Sequence, residues 1–211
     1  ILLKEIKTKK VYKLIKDIII VDGNSTDDTV KIAKSFQCKV IKQKKIAGYG
    51  DAIIRGIKQS KTKYSVVLDG DGSKNPSYIS KFYKIIENKN YDFVFGTRYG
   101  GASGSKDDTL LTHFGNRIFT NLGKVFFNIQ INDILHTFFI CKPKEFNKIS
   151  FKHMNFGFCA ELPILVSKYN IKHTQCDTIE RKRIAGEIKV RSFVDGYKIL
   201  LSMIKIFIKN E

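Results

Sequence analysis

No stretch of this sequence holds the roughly 18 to 20 consecutive apolar residues needed to cross a bilayer, and no charged-then-apolar leader precedes the first apolar segment. Any spanning helix is therefore expected outside these 211 residues. Methionine is scarce: Met154 and Met203 are the only two, position 1 is Ile1, and the N-terminus is read as a truncation. The four cysteines, Cys38, Cys141, Cys159 and Cys176, lack CxxC spacing and the four histidines are scattered, which speaks against a zinc site and for reduced, buried thiols. Acidic residues are few, 20 against 38 Lys and Arg, giving a formal net charge of +18. An excess of that size attracts nucleic acid, anionic lipid or a phosphorylated substrate. No helix-turn-helix, RNP or zinc pattern accompanies the charge, so a non-enzymatic, polyanion-binding protein rests on charge alone.

What is present is a chain with enough apolar residues, 43%, to bury one sizeable core. Residues 18 to 22 (IIIVD) form a short apolar run, the turn-rich GNSTDD follows, and TVKIAKSF has helical spacing. Ser25, Thr26, Asp27 and Asp28 are expected to cap that helix. The alternation continues with strands at 38 to 41, 64 to 68 and 92 to 96, a helix opening at Gly48, and a helix from Pro76 to about Asn88. It predicts an α/β fold with a mostly parallel central sheet and crossover helices. Leu110, Phe114, Ile118, Leu122 and Phe126 recur every four residues and predict a long helix with a core-facing stripe. A strand at 137 to 141, a helix at 160 to 169 and a strand near 172 to 178 complete the body. In the last helix Asp195, Lys198, Ser202, Lys205 and Lys209 share a polar side, leaving a broad apolar face that suits either the core or a membrane interface. Residues 1–190 are read as one catalytic domain and 191–211 as an amphipathic helix belonging to it or to a membrane surface.

Ligands of open α/β sheets collect beyond the carboxyl ends of the strands, where helix N-termini and loop amides converge. Two acidic clusters take that address: Asp22 after the first strand, and Asp69-Gly70-Asp71 after the third. Two carboxylates one residue apart repel each other unless a cation or hydroxyl donors hold them, and a divalent metal bridging a sugar diphosphate fits that need. Gly48 and Gly50 are small enough to admit a ligand against the backbone.

Taken in order, IIIVDGNSTDDT, GYGDAIIRGI, VVLDGDGSKNP and FVFGTRY resemble the strand and nucleotide turn, the Gly-x-Gly helix start, the DxD segment and the Gly-Ser-Arg strand end of family 2 glycosyltransferases. The polyprenyl-phosphate sugar synthases related to dolichol-phosphate mannosyltransferase are the most similar branch. HFGNRIFTNL, Asp133 and RIAGEIKV continue the likeness, with departures at Gly23, Ser73 and Ile188. The resemblance implies a GT-A fold whose first strand is truncated here. It also implies an inverting transfer from a GDP- or UDP-linked sugar, assisted by Mg2+ or Mn2+, to a polyprenyl phosphate.

It further implies roles. Asp22 would contact base or ribose, and Asp69 ribose, donor or metal. Asp71 would hold the metal and be the central catalytic carboxylate. Arg98, Arg117, Arg183 and Lys189 would meet phosphates, a task suited to guanidinium geometry. A lipid phosphate is already an anion, whereas a sugar hydroxyl must lose a proton, and Glu161 is the carboxylate placed to take it. The protein is expected in the cytoplasm, peripheral to the cytoplasmic face of a membrane, with no specific nucleic-acid partner.

Overall fold

The computed structural model describes residues 1–8, 10–43, 48–186 and 191–208. The chain opens with helix α1 (Leu2–Thr8), a 3-10 turn (Lys10–Leu14), strand β1 (Ile19–Asp22), helix α2 (Thr29–Ser35), strand β2 (Lys39–Lys42) and helix α3 (Tyr49–Lys58). Strand β3 (Ser65–Val67), helix α4 (Tyr78–Asn88), strand β4 (Phe93–Thr97), the short strand β5 (Gly104–Ser105) and helix α5 (Leu110–Phe127) follow. The remainder is strand β6 (Phe139–Cys141), helix α6 (Pro143–Phe146), helix α7 (Phe158–Lys168), strand β7 (His173–Asp177), strand β8 (Ile179–Glu180) and helix α8 (Ser192–Ile208).

The main sheet has the order β3-β6-β4-β7. β4 and β7 run parallel, and β6 is inserted antiparallel to both β3 and β4. Side chains alternate across a strand, so β4 sends Phe93 and Phe95 into a core with α3, α7 and α8, and Val94 into a second core with Phe82 and Ile86 of α4. Burial on both faces is why FVFG reads as an unbroken apolar run rather than an alternating one. The four cysteines are free and buried.

β1 and β2 form a separate parallel pair. Neither β1 nor β3 has a partner on its remaining side among the described residues, and both edges line one cleft together with Leu2, Leu3 and Ile6 of α1.

Two expectations about helices are corrected. The four-residue stripe on α5 does not face the core: Leu110 is 92% and Phe114 66% exposed, Ile118 and Phe126 also face outward, and only Leu122 packs inward. At 3.6 residues per turn each four-residue step drifts by about 40°, so the stripe winds around the helix. The buried side is instead Asn116, Thr120 and Gly123, small and polar residues that allow close approach, with Gly123 against Ile129 and Ile134. On α8, Asp195 and Ser202 are buried rather than solvated. Asp195 accepts the Arg191 amide at 2.8 Å, and Ser202 packs on Gly157. Ile199, Met203 and Ile206 join the main core, while Leu200, Ile204, Phe207 and Ile208 remain exposed. Lys209 lies outside the described residues. Among those residues no helix is long and apolar enough to cross a membrane.

Strands with one unpaired side open locally more readily than a central strand. Hydrogen exchange is expected to show β4 amides protected at least roughly 100-fold more than those of β1. Equal protection of β1 and β4 would mean that β1 has a second strand partner.

Candidate active site

The cleft lies where the strand ends would place a ligand: Asp22 closes β1, and Asp69 and Asp71 follow β3. Its volume of about 1720 Å³ exceeds the roughly 300 to 1,000 Å³ of a single small-molecule pocket. Part of that volume is the gap between β1 and β3.

The loop after β3 is laced to the basic loop after β8. Asp71 Oδ1 accepts the Ser73 amide at 2.9 Å, while its carbonyl accepts the amides of Ile184 at 2.8 Å and Ala185 at 3.3 Å. Gly72 has φ +80°, a conformation that strains any side chain, and a Cβ there would press on the Ile184 side chain. Arg181 donates to the carbonyls of Gly72 and Lys74 and forms a two-pronged ion pair with Glu5 of α1. Arg183 reaches within 3.9 Å of Asp71 Oδ2 and is steadied by Asp107.

Asp69 is held from inside the protein. Tyr49 donates to its Oδ1 at 2.7 Å, and Lys74 Nζ stands 3.4 Å from its Oδ2. Tyr49 is itself fixed by Thr137 and by stacking on Phe156. Burial, then the Asp69 charge, push the Tyr49 phenol well above its ordinary range, so it stays a donor. Lys74 also donates to Glu180 Oε1 at 3.1 Å and to His136 Nδ1 at 3.2 Å. Burial, with Lys74 and Arg98 nearby, drives the His136 pKa down and keeps the ring neutral. Its proton therefore sits on Nε2, facing the Thr178 hydroxyl at 3.5 Å. Burial alone would raise the Glu180 pKa, but the Lys74 and Arg98 cations outweigh it and hold the carboxyl at about 2.

Six of the candidate site residues from sequence share this cleft: Asp22, Gly48, Asp69, Asp71, Arg98 and Arg183. Asp22 is buried and accepts the Ser25 amide at 3.2 Å. Asp27, rather than its neighbours, accepts the first helical amide of α2, from Thr29, at 3.0 Å. A Cβ on Gly48 would strike the Met154 carbonyl, and one on Gly50 would strike Phe158. Their smallness thus serves the packing of α3 on the 153–158 segment.

Three expectations are corrected by the geometry. Arg98 reaches the cleft wall, but its donors are occupied: Nε and Nη2 by Asp133, Nη1 by Asp108 and Glu180. It is a buried hub with four of its five hydrogens committed to carboxylates. Arg117 is exposed on α5 and does not line the cleft. Glu161 is 1% exposed, lies off the cleft, and accepts the amides of Lys152 at 2.8 Å and His153 at 3.0 Å. A general base must reach the proton it removes, and this carboxylate instead holds the loop that carries Phe156. Lys189 and Ile188 lie outside the described residues.

Sequence reasoning missed Tyr49, Lys74, His136, Glu180 and Arg181. Lys74 sits inside the quoted VVLDGDGSKNP and Arg181 inside the basic run, but local sequence carries no sign that a Lys is buried or which acid it meets. Among the described residues no group of three or more His, Cys, Asp or Glu could hold a metal ion. A pair of carboxylates is enough for a hard divalent ion whose remaining ligands are water and phosphate oxygens.

The glycosyl transferase family 2 model matches residues 2–150. The chain is 37% identical over 100 residues to an uncharacterized protein of Methanocaldococcus jannaschii, covering 43% of this chain and 44% of the relative. It is 25% identical over 189 residues to the glycosyltransferase AglJ of Haloferax volcanii, covering 89% and 61%. The chain thus spans less than two thirds of either relative. A crystal structure of Mycobacterium tuberculosis glucosyl-3-phosphoglycerate synthase, in complex with Mn2+, uridine diphosphate and glucosyl-3-phosphoglycerate, superposes with TM-score 0.69. At 15% identity it covers 92% of this chain and 70% of its own, and the fold is GT-A.

Because the Glu180 pKa lies below the ordinary 4.5, its contribution to stability is complete above about pH 4.5 and is lost as pH falls toward 2. By linkage that contribution is on the order of 3 kcal/mol. Glu180→Gln is expected to lower stability by about 3 to 5 kcal/mol at pH 7, since it leaves Lys74 and Arg98 short of a charge. In urea unfolding, the gap between variant and parent should shrink from pH 7 to pH 2.5. A gap independent of pH would contradict the ion pairing.

Proposed function

Because the chain belongs to glycosyl transferase family 2, we propose that it is an inverting glycosyltransferase that moves a sugar from a nucleotide-diphosphate sugar to a polyprenyl phosphate. The observation that carries this reading is Asp71. It is a carboxylate beyond the end of β3, with one oxygen on a backbone amide and the other toward Arg183, in the same cleft as Asp22.

In this reading Asp22 and the Gly48 turn receive the nucleoside, Asp69 stays turned toward Tyr49 and Lys74, and Arg183 meets the diphosphate. Among the described residues around the site Asp69, Asp71, Asp107, Asp108, Asp133 and Glu180 outnumber Lys74, Arg98, Arg181 and Arg183. A diphosphate therefore needs a divalent cation in order to approach. Asp71 would hold Mg2+ or Mn2+, which supplies Lewis-acid neutralisation of the leaving group when bound. The bond from the anomeric carbon to the diphosphate oxygen breaks as one from an acceptor oxygen forms on the opposite face, and the nucleoside diphosphate leaves. The mycobacterial neighbour's complex with uridine diphosphate and Mn2+ favours a UDP-sugar over a GDP-sugar.

The acceptor is inferred from two features. Glu161 lies off the cleft, so the site suits an acceptor that is already anionic. Beyond the acids the cleft wall becomes apolar, with Leu111, Phe114 and Ile118 of α5 opposite Phe193, Tyr197 and Leu200 of α8. That wall suits a lipid chain, and its outward continuation, with Lys198 and Lys205, suits peripheral attachment to the cytoplasmic face of a membrane. Packing of Ile199, Met203 and Ile206 in the main core favours α8 as part of one catalytic unit. A second reading, transfer to the hydroxyl of a small phosphorylated acceptor, draws support from the glucosyl-3-phosphoglycerate in the same neighbour.

Thermal unfolding of the protein with UDP or GDP, each with and without Mn2+, tests the donor site. At a hundredfold excess over Kd, binding adds about 2.7 kcal/mol, a rise of roughly 5 to 10 °C for a chain of this size. One diphosphate with Mn2+ should give that rise and Asp71→Ala should remove it. No shift, or one unaffected by Asp71→Ala, would refute the assignment.

A further inference from the structure

Lys74 occupies a position unusual for a lysine: it is only 5% exposed and lies three residues beyond the second acid of the pair. Burying an ammonium is costly unless its charge and its three protons are matched. Here Glu180 Oε1 at 3.1 Å and His136 Nδ1 at 3.2 Å accept two of the protons, and Asp69 Oδ2 stands 3.4 Å away as an ion-pair partner. Glu180 is shared with Arg98 and His136 is neutral, so Asp69 completes the charge balance.

The two carboxylates of the pair are consequently unlike. Asp69 has Oδ1 on the Tyr49 hydroxyl and Oδ2 on Lys74, so both of its oxygens have partners from the protein interior. Asp71 has Oδ1 on a backbone amide and, among the described residues, Oδ2 facing only Arg183, at 3.9 Å.

We propose that Lys74 is a positioning residue: an internal cation that engages the second oxygen of Asp69 and leaves Asp71 as the single side-chain ligand for the divalent cation. This rests on the reading of the cleft as a metal-assisted donor site. Without Lys74, two carboxylates one residue apart would repel, and a divalent ion would bridge them to relieve that repulsion. The lysine thus substitutes for half of the metal site and fixes where the other half holds its ion.

The test is Mn2+ binding to the full chain with UDP present, followed through the electron paramagnetic resonance of free Mn2+, with a cooperative melt checking each variant. Asp69→Asn alone should change Mn2+ affinity by less than about twofold. Lys74→Met should raise it about tenfold, the gain should vanish in the Lys74→Met/Asp69→Asn double variant, and Lys74→Arg should stay near the parent. A tenfold loss from Asp69→Asn, or no gain from Lys74→Met, overturns the proposal. If Lys74→Met does not fold, Asp69→Asn decides alone. A parent protein that binds no Mn2+ with nucleotide overturns the donor-site reading and this inference together, whereas a parent that binds while Asp69→Asn does not overturns only the inference.

Discussion

The interaction on which the rest of this structure depends is the buried ion network centred on Glu180. Its two oxygens accept from Lys74 on one side and from Arg98 and Ser105 on the other. Arg98 passes the connection to Asp133, which also accepts from Asn116 of α5. Segments after β3, after β4, before β6 and in β8 therefore meet in one cluster of charges. Each charge is buried only because its neighbours are, so removing one member strands others, and the parts shift together or not at all. The cluster carries Asp69 and backs the loop that carries Asp71, which makes it the foundation of the cleft.

That dependence explains which features could be read from the sequence. The order of strands and helices was legible because apolar runs such as FVFG and YSVVL are bounded by turn residues, and the acids at strand ends follow from the same alternation. The insertion of β6 between β3 and β4 was not, since its register is fixed by pairing between residues 44 to 76 positions apart. Arg98 shows the limit most clearly. Its type and its place after a strand suited a phosphate, yet Asp108, Asp133 and Glu180, 10 to 82 positions away, converge on it and take four of its five hydrogens. Glu161 fails as a base for a similar reason: its partners are backbone amides, which carry no sequence signature. The stripe on α5 misled because a four-residue repeat mimics a buried face locally and drifts off it over four turns.

The exposed remainder of that stripe gives the cleft its two characters. On the side of β1 and β3 the walls are carboxylates, glycine turns and Arg183, suited to a nucleotide diphosphate with its cation. On the side of α5 and α8 they are Phe114, Phe193 and their neighbours, suited to an apolar chain. The proposed transfer to a lipid-borne phosphate would need both within reach of one point, and Asp71 and Arg183 line the same cleft as the two walls. The high positive charge fits an anionic membrane surface without requiring a nucleic-acid partner.

The central claim is that Asp71 anchors the cation beneath the donor diphosphate. Crystals of the protein grown with UDP and Mn2+, measured at the manganese absorption edge, would locate that cation directly by its anomalous scattering. The account predicts one strong peak in direct contact with the Asp71 carboxylate and the diphosphate oxygens, with Asp69 still turned toward Tyr49 and Lys74. A peak remote from Asp71, or diphosphate bound without a cation, would contradict it.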